Sequence, residues 1–436
     1  MSALPLPQTD DRPVLLPRAV EDSRSARLVA QRIRAHLLRP GYELVNLTPV
    51  YSRFKGDDGG LVTYRVELLG GPDAGTTFVS VRTGSGWRLE SQAERFDDPV
   101  FAQRTGALEP FHLDARAGIL LVSFPMDRGL RHLHRALRPK WIRRWLEPAG
   151  LLPGAEGAGL SSEASRVVVV SYRPERRAVL RLDPVFENSG SRGPSLFLRM
   201  HADPSGADRA VACEHALAAA GLDAPRPLGR PRPDLAVESG CSGVPVGSAA
   251  VTNLQLMRAL GRLLARVHAI EPPAALEDLP IDTVPDQARR CAADLERVHP
   301  GLGAWALSCV ECLGPAPGSS ERVLLHGDLH LGQVLIDGAR LTLVDWDRGC
   351  AGDPAYDLGT LAAHLYYAHG RRVDPAFQEV VHGYRDAGRH VDEEKLRWHH
   401  AQALLRLVNT PFRSLRPDWP ERTEWILARL EEVVGC

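Results

Sequence analysis

The sequence predicts an α+β protein, on two observations. Strand-like runs crowd the first half of the chain: Leu61 to Leu68, Thr77 to Arg82, Val167 to Tyr172, Arg177 to Asp183 and Leu196 to Met200. Beyond Met200 the apolar residues recur at helical spacing, interrupted by one hairpin. At 436 residues, 44% apolar and 25% charged, the chain is too long for one ordinary core and too apolar for wholesale disorder, so two or three domains are expected.

Each element has its own signal. A strand near Tyr51 leads into Gly56-Asp57-Asp58-Gly59-Gly60, which reads as a hairpin turn rather than a phosphate cradle because strand-like runs flank it. The stretch from Gly150 to Ser165 is rich in Gly, Ser and Ala without periodicity, and so reads as a linker over 150–164. It divides a cap domain, 1–149, from a β-rich unit, 165–248, and a helical unit, 249–436. The strands on its two sides resemble each other: Arg65 and Arg82 lie seventeen residues apart, Arg181 and Arg199 eighteen. Either the cap is a degenerate copy of the second β unit or short-strand alternation has produced the match. Ala207 to Ala220, closed by Gly221, reads as a helix, Leu235 to Glu238 as a strand, and Leu254, Met257, Leu260, Leu264 and Val267 as one face of an amphipathic helix.

Composition excludes several classes. Fifty-four acids and fifty-three bases cancel to −1, which gives no electrostatic case for nucleic acid as the partner. Only three of the bases are lysine: Lys55, Lys140 and Lys395. No run of eighteen apolar residues occurs, and the opening MSALPLPQTDDRP lacks the basic and apolar regions of an export signal, so a cytoplasmic protein without a membrane partner is expected. Seven scattered cysteines fit reduced thiols, and Cys309 and Cys312 read as two thiols on one core face of a helix. Nothing in the sequence sets the oligomeric state.

The chemistry concentrates between Leu324 and Gly359. Asp337-Gly338 opens a turn between the short strands Gln333 to Ile336 and Leu341 to Val344. With a four-residue loop, Ile336 faces Leu341 and Gln333 faces Val344. Gln333 and Asp345 then emerge together at the end away from the turn, near Asp328. Two carboxylates and an amide oxygen are hard ligands of the kind magnesium prefers. Phosphoryl transfer needs such a set: one carboxylate for the acceptor hydroxyl, and an amide with a carboxylate for the metal on the nucleotide phosphates.

The run His326-Gly327-Asp328-Leu329-His330 with Gln333, then Asp345-Trp346-Asp347, then Gly352-Asp353-Pro354-Ala355-Tyr356-Asp357-Leu358, resembles the aminoglycoside phosphotransferase and choline kinase-like family over about residues 165–436. That resemblance implies a bilobal protein-kinase-like fold, a small β-rich lobe and a larger helical lobe, here behind an N-terminal α/β cap. It implies ATP and Mg2+ between the lobes, and transfer of the γ-phosphoryl group to a hydroxyl of a small molecule, a sugar, aminosugar or aminoglycoside-like compound. By the same resemblance Asp328 is the catalytic base, Gln333, where the family usually has Asn, and Asp345 are the metal ligands, and His326 and Asp357 are structural. Arg199 stands where a strand lysine would contact phosphate, with Glu214 as its partner and Arg181 as a second candidate. Val237 and Glu238 belong to the hinge that reads adenine. Asp347 either approaches a second metal or pairs with Arg348, and His330 reads as a loop hydrogen-bonder. HGDLHLGQ is similar to maltokinase-like sugar kinases, whereas DWDRGCAGDP is nearer the antibiotic and choline kinase pattern. The alternatives are a pseudokinase acting as a nucleotide-sensing or scaffolding module, and an N-terminal module that is itself the active part.

Overall fold

The computed structural model describes residues 18–55, 59–153, 159–187, 189–279, 284–318 and 321–435. Gly56, Asp57 and Asp58 of the expected turn and 154–158 of the expected linker lie outside them. Helices α1 (Arg18–Arg24) and α2 (Ala26–His36) precede the first sheet, and Ser25 caps α2 by accepting the Leu28 N–H at 3.4 Å. Strands β1 (Tyr42–Lys55), β2 (Gly59–Gly70) and β3 (Gly75–Thr83) follow. Then come α3 (Gly86–Ala93), α4 (Pro99–Ala102), β4 (Phe111–Asp114) and β5 (Ile119–Ser123). The sheet is antiparallel in the order β1-β2-β3-β5-β4. Alternation along β5 divides its side chains between two cores: Ile119 and Leu121 meet Val29 and Ile33 of α2, while Leu120 and Val122 meet Leu89 and Phe96 on the other face.

The chain then leaves this sheet earlier than the linker signal implied. Helices α5 (Leu133–Ala136) and α6 (Pro139–Leu146) bury Leu133, Ile142 and Leu146 against Leu180, Leu182 and Leu198 of the second sheet. On either side of 154–158, Leu152 and Leu160 join that same core, and composition alone does not report which core a preceding helix joins.

The second sheet comprises β6 (Arg166–Arg173), β7 (Arg177–Asp183) and β8 (Leu196–His201). Helix α7 (Ser205–Ala219) and strands β9 (Pro227–Arg232) and β10 (Leu235–Ser239) follow. Its antiparallel order is β6-β7-β8-β10-β9, the same plan as the first sheet. One face, carrying Ala178, Leu180, Leu198 and Val237, packs on α5 and α6. The other carries the cross-strand pairs Arg177 with His201 and Val179 with Arg199, and faces the helical lobe.

That lobe begins after the short strand β11 (Val244–Pro245) with α8 (Leu254–Val267), α9 (Val284–Glu296) and α10 (Pro300–Leu313). Met257, Leu260, Leu264 and Val267 of α8 are buried as their spacing predicts, whereas Leu254 at its start is exposed. Cys309 of α10 enters the core as a free thiol, but Cys312 stands on the outward side and is disulfide-bonded, so the expectation of two reduced thiols on one core face does not hold. Strand β12 (Val323–Leu325) precedes the hairpin of β13 (Val334–Asp337) and β14 (Arg340–Leu343), and β15 (Cys350–Gly352) pairs back with β12. Ile336 faces Leu341, and the Val344 N–H donates to the Gln333 carbonyl at 3.0 Å, which is the register read from the sequence. Helices α11 (Ala355–His369), α12 (Asp374–Asp386), α13 (Glu393–Leu407), α14 (Thr410–Arg413) and α15 (Trp419–Val434) complete the lobe. Among the described residues no helix is long and apolar enough to cross a membrane.

Candidate active site

The loop His326–His330 leaves β12 and turns sharply at Gly327, whose φ is +81°. A Cβ there would lie 2.1 Å from the Arg348 carbonyl oxygen, so only glycine fits. Asp357, fully buried at the start of α11, holds this turn by accepting the His326 N–H at 2.6 Å and the Gly327 N–H at 2.9 Å. Burial would raise its pKa, but those bonds and His268 at 3.4 Å outweigh it and lower it. His326 Nε2 donates to the Val344 carbonyl at 3.0 Å, which ties the loop to the hairpin. Asp328 is thereby set at the mouth of the cleft, 3.8 Å from the Arg348 guanidinium. Burial pushes its carboxyl up, yet the charge of Arg348, with His364 and Arg406 behind it, leaves its pKa below the ordinary value and the group ionised.

Asp345 follows β14 in a left-handed conformation, φ 72°, that turns its carboxylate back toward Gln333. Gln333 Nε2 donates to Asp345 Oδ2 at 2.8 Å. Two arginines of the second sheet reach the same carboxylate: Arg177 at 2.9 Å from Oδ2 and Arg199 at 2.6 Å from Oδ1. Both also bind Asp347, whose Oδ2 lies 3.8 Å from His201 Nδ1. Burial opposes ionisation of Asp345, but Arg177 and Arg199 hold its pKa far below the usual carboxylate range.

Arg199, 4% exposed, pairs with Glu238 at 3.4 Å as well as with the two aspartates, and Glu214 is beside it without forming the expected direct pair. Glu214 instead shares a hydrogen bond with Glu238. Burial and the Glu238 charge push Glu214 up to about 10, so this pair keeps a proton at neutral pH. β10 is paired on both sides, Val237 points into the apolar core, and the Glu238 side chain turns in to Arg199. Arg181 stands opposite Phe197 at the exposed end of the strands, bound to Asp183 at 3.0 Å and away from the carboxylates. His330 caps the following turn by accepting the Gly332 N–H at 3.1 Å. Asp347 takes Arg177 and Arg199 as partners in place of Arg348.

Two cavities meet at Asp328. One, of about 360 Å³, lies between the lobes and is lined by Arg177, His201, Arg209, Asp345, Asp347 and Asp328 among others. The second, of about 550 Å³, runs from Asp328 along His330, His364 and Arg406 to α14, and is walled on one side by Val50 and Tyr51 of β1. Arg173, Arg176 and Arg348 border both. The first cavity adjoins the turn Pro174-Glu175-Arg176 between β6 and β7. Its tip, Glu175, is held by Arg53 at 3.0 Å, by Arg82, and by its own N–H on Asp127 Oδ2 at 2.8 Å. Sequence reasoning missed Arg177, Arg209, Tyr51, Arg406 and Arg413. The run Ser171-Tyr172-Arg173-Pro174-Glu175-Arg176-Arg177 carried a signal for the first of these, since an arginine-rich strand turn next to a phosphate site supplies donors to it.

A small β lobe over a helical lobe, with an ionised aspartate on a loop between two cavities, defines a small-molecule phosphotransferase with a kinase-like fold. The chain belongs to the phosphotransferase enzyme family, which matches residues 156–399. No curated protein matches it. Among solved structures, a choline kinase from Cryptosporidium parvum Iowa II superposes with a TM-score of 0.51 at 10% identity, over 67% of this chain and 94% of that one, and shares the fold. A macrolide 2'-phosphotransferase from Brachybacterium faecium matches with a TM-score of 0.43 at 18% identity, over 67% of this chain and 97% of that one. A choline/ethanolamine kinase family protein from Mesorhizobium loti gives 0.46 at 18%, over 68% and 95%.

Proposed function

We propose that the protein transfers the γ-phosphoryl group of ATP to a hydroxyl of a sugar-like small molecule, with Asp328 as the base. The observation that supports this most is the position of Asp328, ionised and bordering both cavities, with Gln333 and Asp345 behind it. In this reading the nucleotide phosphates occupy the smaller cavity and the acceptor the larger. The hydroxyl oxygen forms the new bond to phosphorus, the bond from phosphorus to the β-bridging oxygen breaks, and the proton passes to an Asp328 carboxylate oxygen. A carboxylate kept below its ordinary pKa is a weak base, so Asp328 chiefly orients the hydroxyl and takes the proton late. Arg173, Arg176 and Arg348, which border both cavities, face the charge on the moving group.

The donor set fits a hard divalent cation. Asp345, Asp347 and the Gln333 amide oxygen would hold Mg2+, which would neutralise phosphate charge there. No group of three His, Cys, Asp or Glu side chains gathers as a cage among the described residues, and a cation carried on a nucleotide needs only one or two protein oxygens. Arg177 and Arg199 already bind both aspartates, so cation binding has to draw at least one guanidinium away. The test is magnesium-dependent ATP turnover by wild type and Asp328→Ala against sugars, aminosugars, aminoglycosides and choline. Acceptor-dependent turnover that falls about 10²- to 10⁴-fold in the variant is expected. Equal turnover in both proteins would exclude Asp328 as the base.

A further inference from the structure

The charge of the larger cavity points to a narrower class of acceptor. Five arginines line it, Arg173, Arg176, Arg348, Arg406 and Arg413, against one carboxylate, Asp328. His330 and His364 add no acid. Burial pushes both below their ordinary pKa, His364 to about 4, so they are neutral at pH 7. Arg173, Arg176 and Arg348 also border the phosphate cavity and are accounted for by the γ-phosphoryl group. Arg406 and Arg413 border the acceptor cavity alone.

Neither of those two has a carboxylate within ion-pair distance among the described residues. Arg406, half-buried on α13, donates to the Tyr356 hydroxyl and lies over its ring at 5.8 Å. Arg413, half-buried on α14, donates to the Tyr51 hydroxyl at 2.8 Å. Each feels a carboxylate only from beyond that distance, Arg406 from Asp328 and Arg413 from Asp294, so each guanidinium, partly out of water beside a hydroxyl group, would still gain from a closer anion. Both lie within electrostatic reach of Cys291, and together they supply what a carboxylate or phosphate would bind in a forked geometry. A cationic acceptor would instead be placed among like charges.

We propose that the acceptor is an anionic hydroxyl compound, a sugar-like molecule bearing a carboxylate or a phosphate that docks on Arg406 and Arg413 while its hydroxyl meets Asp328. This rests on the kinase reading above and deepens it.

The experiment has two arms. In the first, kcat/KM is measured with D-glucuronate, D-glucose 6-phosphate, D-glucose and D-glucosamine, in wild type and in Arg413→Gln; the first two acceptors distinguish carboxylate from phosphate. An acidic acceptor preferred over glucose and glucosamine by about tenfold or more is expected, with its KM raised by a similar factor in Arg413→Gln and the KM for ATP unchanged. Glucose or glucosamine used as well as the acids would overturn the proposal and leave the kinase reading standing. In the second arm, protein saturated with Mg·AMP-PNP is titrated with sodium sulfate against sodium chloride at equal ionic strength, following Tm. This arm decides the matter if none of the four acceptors is turned over. A saturable sulfate-specific rise that Arg413→Gln loses supports the anion site, and no rise, or the same rise in the variant, overturns it. Arg413 is chosen for its partial exposure, and Arg406→Lys, which keeps the charge but not the fork, is expected to weaken the sulfate response without abolishing it. Absence of any stabilisation by Mg·AMP-PNP would overturn the kinase reading and this proposal together.

Discussion

The two five-stranded sheets share a strand order, and each buries an arginine on its third strand, Arg82 in β3 and Arg199 in β8. The two side chains are treated in opposite ways. Burial, with Arg128 and Arg53 nearby, pushes Arg82 down to about 10. Arg199 is more deeply enclosed, yet Glu238, Asp347, Asp345 and Glu214 outweigh its burial and raise it. The first sheet meets an apolar cluster on each face, and its arginine reaches out to grip Glu175 in the turn of its neighbour. The second is apolar on one face and carries the buried charges of the site on the other. One strand plan therefore serves as a brace in one place and as half an active site in the other. What separates the roles is the number of carboxylates gathered around the third-strand arginine, which outweighs even the deeper burial of Arg199.

This contrast can be broken most severely at Arg199. Arg199→Met leaves Asp345, Asp347 and Glu238 facing each other with Arg177 alone, and should cost about 3–5 kcal/mol of stability along with the activity. Urea unfolding checks it, and a cost below 1 kcal/mol would mean that the carboxylates are satisfied without it. Leu120→Ala, in the apolar face of the first sheet, should cost about 2–5 kcal/mol and leave the KM for ATP unchanged. A changed KM would show that packing in the first sheet reaches the nucleotide cavity. Arg82→Met should be milder, about 1–3 kcal/mol, because Arg53 remains on Glu175. Its mark should instead be a raised KM for ATP, from a loosened turn beside the phosphate cavity.

The last test is a pH dependence whose sign follows from burial. Glu214 is pushed from its ordinary 4.5 up to about 10, so the folded chain holds a proton that the unfolded chain releases. Its contribution is fully present below about pH 4.5 and is lost as pH rises toward 10. Asp345 is shifted the other way, so its contribution is present above 3.8 and is lost in acid. Glu214→Gln should flatten the decline of stability between neutral pH and pH 10, measured by urea unfolding at several pH values. An unchanged slope would place the extra proton elsewhere.

Much of this architecture was legible because it is local. The hairpin register, the loop glycine and the carboxylate at Asp357 depend on neighbours a few residues away or on a motif that carries its own geometry. Four of the five strands of the second sheet, all but β9, could be placed from alternation almost to the residue. The partners of Glu238 and Arg177 could not, because alternation reports which face a side chain takes and is silent on which neighbour it meets there, Arg199 for Glu238 and, 168 positions further along, Asp345 for Arg177. Arg181 shows the cost: it shares a face with Arg177, but at the exposed end, where its partner is Asp183. The packing of α5 and α6 on the second sheet was hidden for a related reason, since an amphipathic helix declares an apolar face without naming the core that covers it.

The hydrogen bond from Arg413 to Tyr51 joins residues 362 positions apart across the larger cavity. The wall of that cavity is therefore completed last in synthesis, and a chain that stops before α14 lacks Arg413 together with Ile426, Leu427 and Leu430 of α15, which close the core of the helical lobe.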